Sequence, residues 1–207
     1  NILGLTVGIA ACLISFLHIQ HELSFDKHIA NVDKIYRIVV GEVDNGDGWV
    51  KISAPIPPYL KENIPEIDRF ARLTKVTYNP KITVAVNDNV FNEENFYMAD
   101  PDLVEIFDFE FIRGSQKQVL NDKNNVIISD KISAKLFGED NPVGQTLLVG
   151  GEHLFNITGV FRDKNAQRHI DIDFLIDFAN LETIFPGTSL TGNWGQYNYY
   201  AFVELNN

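Results

Sequence analysis

Five histidines are the first residues to weigh for chemistry: His18, His21, His28, His153 and His169. Two of them stand in the run His18-Ile19-Gln20-His21-Glu22. Zinc proteases use H-E-x-x-H or H-x-x-E-H, with the acid inside a pair of histidines that share one helix face. Here the order is H-x-x-H-E, so the stretch reads as the polar end of an apolar segment. Asp44-Asn45-Gly46-Asp47-Gly48 invites a calcium reading. An EF-hand loop needs oxygen ligands at positions 1, 3 and 5 with glycine at 6, whereas the third position here is Gly46. A hairpin turn fits better, because Gly and Asn accept positive φ. Asp171, Asp173 and Asp177 fall along an expected strand and read as a solvated face, not an acid/base pair. Cys12 lies in an apolar run without the electropositive setting a nucleophilic thiol requires. Asn156-Ile157-Thr158 fits the N-glycosylation pattern but falls inside an expected strand. The sequence holds no G-x-x-x-x-G-K-[ST], G-x-S-x-G or G-x-G-x-x-G. No catalytic, cofactor-binding or metal-binding residue is therefore predicted, and the function expected is interaction or structure, not reaction.

Composition narrows the classes further. With 207 residues and 45% hydrophobic content, the chain is long enough to bury a sizeable core. A formal net charge of −11 opposes binding to nucleic acid, whose phosphates would repel it. It opposes adhesion to anionic lipid in the same way. One cysteine forms no internal disulfide, so cysteine usage does not reveal the compartment.

The N-terminal run Ile2 to Ile19 (ILGLTVGIAACLISFLHI) carries no charge before Glu22. As a helix it would reach ~27 Å at ~1.5 Å per residue, close to a ~30 Å hydrocarbon core. The expectation is a transmembrane helix over residues 1–21, with further chain before Asn1. Gly4 and Gly8 form a G-x-x-x-G pair, continued by Cys12, that would let a second helix approach closely. Three rivals remain open: a buried core helix, a secretory signal lacking its basic flank, and a lipoprotein box at Ile9-Ala10-Ala11-Cys12. The last would make the chain a membrane-anchored periplasmic binding module without a transport role. Against it, apolar residues continue past Cys12.

The remainder alternates short strands with turn signals. A polar helix is expected to leave the membrane and end near Asn31. Strands are expected at 35–43, 49–53, 67–76, 81–86, 89–98, 109–112, 125–129, 145–149, 153–161, 171–177 and 199–205. Helices are expected at 59–63, at 101–107 capped by Asp100-Pro101, after Ser129 or Asp130 up to Gly138, and at 179–185. The Ser129 helix would put Ile132, Leu136 and Phe137 on one face. Hairpin connections and more strands than helices point to the α+β class, with mixed β-sheets and short helices.

These motifs, in their order, resemble the MacB-like periplasmic core domain of ABC transporter permeases in the MacB/FtsX superfamily. NILGLTVG at Asn1 to Gly8 is similar to a first membrane helix. HELSFDK at His21 to Lys27 resembles the elbow leaving the membrane, and KIYR at Lys34 to Arg37 the first strand. ADPDLVEIFDF at Ala99 to Phe109, with Gly114, resembles the middle helix. VIISDKISAKLFG at Val126 to Gly138, with Pro142 to Gly144, resembles the next helix and turn. FNITGVF at Phe155 to Phe161, with Arg168-His169 and Phe174, and WGQYNYYAFV at Trp194 to Val203 resemble the closing segments. Asn165 to Arg168 replace the Pro and Ser that usually precede the His. The resemblance implies a two-lobed extracytoplasmic domain over 22–207, with an inserted lobe roughly at 78–165. It implies a location in the inner membrane and periplasm, and no cofactor. Its partners would be a cytoplasmic ABC ATPase, a second permease subunit (homodimer or heterodimer) and an optional periplasmic adaptor. Contact with the membrane would run through residues 2–19, and export or extraction would be driven by ATP hydrolysis elsewhere. Glu22 and Asp26 would stiffen the elbow.

Overall fold

The computed structural model describes residues 2–22, 31–41, 48–76, 81–87, 89–115, 120–162 and 170–206. The chain begins with helix α1 (Ile2–Glu22). A helix packed on a globular core hides one stripe of its surface, but every described side chain of α1 is exposed. Thr6 donates its hydroxyl to Ile2 O at 2.9 Å, so the helix satisfies that polar group internally. Among the described residues no helix is long and apolar enough to cross a membrane. On α1 the side chains described without a break run only from Gly4 to Gln20.

The body is built on one mixed sheet. Its strands are β1 (Ile35–Arg37), β2 (Ile67–Lys75), β3 (Ile82–Val86), β4 (Asn89–Glu93), β5 (Phe96–Ala99), β6 (Phe111–Arg113), β7 (Asn125–Ser129), β8 (Thr146–Val149), β9 (His153–Phe161), β10 (Phe174–Asp177) and β11 (Tyr200–Leu205). They lie in the order β1-β11-β2-β5-β10-β7-β9-β8-β3-β4, with β6 also paired to β9. The β5–β10 and β7–β9 pairs are parallel and the rest antiparallel. The strands expected in an inserted lobe at 78–165 thus pair in the same sheet as the others. The mixed α+β class stands.

Alternation with period two sends successive side chains to opposite faces, and the central strands use both. Phe96, Met98, Val126, Ile128, Phe174 and Ile176 build one core. Their neighbours Tyr97, Ala99, Ile127 and Leu175 build the other. This explains why NVIIS and FLID read as continuous apolar runs. Helix α4 (Asp130–Phe137) covers the first face with Ile132, Leu136 and Phe137 as its periodicity predicts, helped by α5 (Leu181–Ile184). Helix α3 (Leu103–Ile106) covers the second. Helix α2 (Ile56–Asn63) packs beside β2, with prolines in its first turn where no N–H partner is lost.

Four local expectations change, the first being the strand expected at 49–53, where only isolated bridges form at Trp49 and Ile52. The strand expected at 89–98 is two strands, β4 and β5, that break at Glu94-Asn95 and pair with different neighbours. Asp100 does not cap α3 with its side chain; it binds Arg72 instead. The stretch expected as one strand at 35–43 is β1 followed by an isolated bridge from Val40 to Trp49. The turn at 44–47 lies outside the described residues.

Candidate functional site

The predicted helix-packing residues lie together on α1. Gly4, Gly8 and Cys12, with Leu5, Ile9, Leu13 and Phe16, line a shallow apolar concavity of about 530 Å³. A Cβ added to either glycine would meet nothing within 4 Å, so among the described residues this face is open. Glu22 ends α1, but its side chain, that of His21, and all of Asp26, His28, Arg168 and His169 lie outside the described residues. His153 opens β9, far in sequence from His18, His21 and His28. Among the described residues no three His, Cys, Asp or Glu side chains gather to hold a metal ion.

After α1 the description resumes at Asn31, and a polar knot fixes the chain there. Asn31 Nδ2 donates to Glu204 Oε1 at 3.0 Å. The other carboxylate oxygen of Glu204 is 3.7 Å from Arg69 Nη1, which also pairs with Glu105 at 2.7 Å. The Glu204 side chain is only 10% exposed, so its charge is compensated locally rather than by water. β1 then zips onto β11, with Ile35 opposite Glu204. The entry of the chain is thereby tied to β11, β2 and α3.

A second charge cluster lies deeper. Arg72 and Asp100 form a fork: Nε donates to Oδ2 at 2.8 Å and Nη2 to Oδ1 at 2.7 Å. Arg72 Nη1 also donates to Ala54 O at 3.0 Å, and the guanidinium lies 4.2 Å from the Phe178 ring centre. Such bidentate, stacked geometry suits arginine and not lysine. Nearby, burial pushes the Asp177 carboxyl above its ordinary range, although it accepts the Ala179 N–H. Burial likewise raises Asp102.

Asp173 overturns the expectation of a solvated acidic face. It is buried and accepts from Ser129 Oγ at 3.1 Å and Asn95 Nδ2 at 3.2 Å, with Lys131 Nζ at 3.6 Å. Ser129 also caps α4 by accepting from Ile132 N. Asp173 therefore locks α4 to the sheet. Asp171 alone of the three is exposed.

Near these groups lies a cleft of about 630 Å³ on the second face. Leu73, Tyr97, Phe107, Phe109, Tyr200 and Phe202 contribute its apolar lining, and Arg37 and Asp171 its charges. Phe107 meets Phe202 edge-on at 4.9 Å. Burial, then the charge of Asp171, pushes the Tyr97 hydroxyl up to about 12, so it remains a hydrogen-bond donor at neutral pH. Sequence reading missed this cleft because its walls come from six separate segments. The local signals were two i, i+2 pairs of aromatics, Phe107 with Phe109 and Tyr200 with Phe202.

Fold and site together define an α+β domain led by an exposed apolar helix, with its buried charges spent on architecture. The chain belongs to the family of the MacB-like periplasmic core domain, whose profile matches residues 1–207. Solved structures share the fold. A domain assigned to a permease protein of Porphyromonas gingivalis superposes with a TM-score of 0.71 at 24% identity, covering 86% of this chain and 77% of that one. The periplasmic region of MacB from Actinobacillus actinomycetemcomitans gives 0.57 at 13%, covering 87% and 80%. The extracellular domain of YknZ, a noncanonic ABC-type transporter from Gram-positive bacteria, gives 0.51 at 14%, covering 84% and 82%. No curated protein matches the chain.

Proposed function

We propose that this chain is the extracytoplasmic portion of an ABC-type permease subunit, with α1 in the inner membrane and the sheet domain in the periplasm. In this reading the chain catalyses nothing. It couples ATP hydrolysis by a cytoplasmic ABC ATPase to export or extraction of a substrate on the periplasmic side. The observation that carries the proposal is the family match across residues 1–207. It is supported by domains of like fold, one from a protein named as a permease and one from YknZ, named as an ABC-type transporter.

The geometry suggests how motion would travel. A shift of α1 would pass along the chain to Asn31, with Glu22 and Asp26 stiffening that connection, and from there through Glu204 and Arg69 into β11, β2 and α3. Gly4 and Gly8 would let α1 lie close to a neighbouring membrane helix, of the same subunit or of a partner permease. A periplasmic adaptor would meet the domain at its outer end. The test is to purify the protein from native membranes in mild detergent. Co-purification of a nucleotide-binding subunit or domain, with ATP hydrolysis, is expected. Recovery of the protein with no nucleotide-binding partner would refute the proposal.

A further inference from the structure

We propose that the aromatic cleft is a binding site for an amphiphile with a long apolar tail and a single carboxylate head, the tail lying across the tyrosine and phenylalanine floor and the head meeting Arg37. The inference stands apart from the transport reading, since it concerns the domain alone.

Three observations converge on it. The first is size: about 630 Å³ lies within the ~300–1,000 Å³ of small-molecule sites. The second is the wall. Phe107, Tyr200 and Phe202 remain half-buried, so apolar surface is still open to water, and covering it is favourable. The cleft runs from β1, which carries Arg37, across β11, β2 and β5 to Asp171 just before β10. At ~4.8 Å per strand step this is a trough of roughly 19 Å, long enough to lay an alkyl chain along.

The third observation is charge. The chain as a whole carries −11, yet Arg37 lines this cleft and two lysines stand against its tyrosines. Lys51 Nζ lies 5.4 Å from the Tyr200 ring centre and Lys75 Nζ 5.5 Å from that of Tyr97. Among the described residues Lys51, Lys75 and Arg37 are not paired with a carboxylate, as Lys34, Lys61, Arg113 and Lys123 elsewhere are not, so all three cations here are available to an anion. Arg37 is exposed at the β1 end, where its fork can hold a carboxylate bidentately. Among the described residues Asp171 is the one carboxylate lining the cleft; it sits at the opposite end and repels an anionic head there. The two ends therefore orient the ligand.

The test uses the full chain in zwitterionic phosphatidylcholine nanodiscs and dodecanoate carrying a photoreactive diazirine. Cross-links mapped by mass spectrometry are expected on the segments holding Tyr97, Phe107 to Phe109 and Tyr200 to Phe202. The amine of the same tail should label these segments at least about fivefold less. Arg37→Glu should cut carboxylate labelling by about tenfold, as expected for loss of a charge-assisted hydrogen bond. Asp171→Asn should raise it. Both changes are at exposed positions, and circular dichroism confirms that the variants fold. Equal labelling by carboxylate and amine, cross-links confined to α1, or labelling indifferent to Arg37→Glu would each overturn the proposal.

Discussion

Replacing Asp100 by Asn probes the most deeply seated ion pair among the described residues. The Arg72 and Asp100 side chains are 10% and 14% exposed, so water offers little compensation. Asparagine keeps the shape but loses the charge and presents an NH₂ to one of two donating guanidinium nitrogens. Arg72 would keep its bond to Ala54 O and its stacking on Phe178, but its positive charge would remain buried and unpaired. Breaking a buried pair in this way costs about 3–5 kcal/mol. For a chain of this size that lowers Tm by about 6–20 °C. The assay is urea and thermal unfolding in detergent, followed by the fluorescence of Trp49 and Trp194. Arg72→Met with Asp100→Ala should be less damaging than Asp100→Asn, because no lone charge is left, although Ala54 O then loses its donor at a cost of about 1–3 kcal/mol. A loss below about 1 kcal/mol for Asp100→Asn, the value of an exposed pair, would refute the assignment of this fork as a structural lock.

Gly114 has φ +84, and a Cβ there would fall onto Thr158 O; Gly114→Ala should cost about 1–3 kcal/mol or more by urea titration. Ser129→Ala removes the α4 cap and a partner of buried Asp173 together, and should lose about 1–3 kcal/mol. Burial raises the Asp177 pKa above 3.8 in the folded chain. The unfolded chain therefore releases this proton first, and stability falls as pH rises from about 3.8 through the raised value; Asp177→Asn should flatten that slope while keeping the Ala179 cap. Glu204→Ala should speed hydrogen exchange at Val32 to Ile35 by freeing Asn31, and leave β7 and β10 amides protected.

How much the sequence disclosed depended on range. Local patterns were legible: Ser129 before the Ile132/Leu136/Phe137 face, Gly138 with φ +61 after it, and Gly150-Gly151 between β8 and β9. Each is fixed by neighbours within a few residues. The break at Glu94-Asn95 was not legible, because it follows from β4 pairing with β3 while β5 pairs with β2 and β10. Asp173 misled for a related reason. Alternating acids read as a wet face, but its partners Ser129 and Asn95 lie 44 and 78 residues away. Asp100 looked like a helix cap until Arg72, on another strand, claimed it. The elbow residues Glu22 and Asp26 were named from resemblance alone, and their side chains lie outside what the structure describes.

The placement of α1 in lipid, with the sheet domain outside, is tested most directly through Cys12, the sole cysteine of the chain. A membrane-impermeant maleimide is added to intact spheroplasts of cells expressing the protein, beside a Ser189→Cys variant whose new thiol lies in the sheet domain. The account predicts that Cys12 reacts only after detergent is added, while the thiol at position 189 reacts at once from outside. Labelling of Cys12 in intact spheroplasts, or a lipid-modified Cys12 at a trimmed N-terminus, would contradict it.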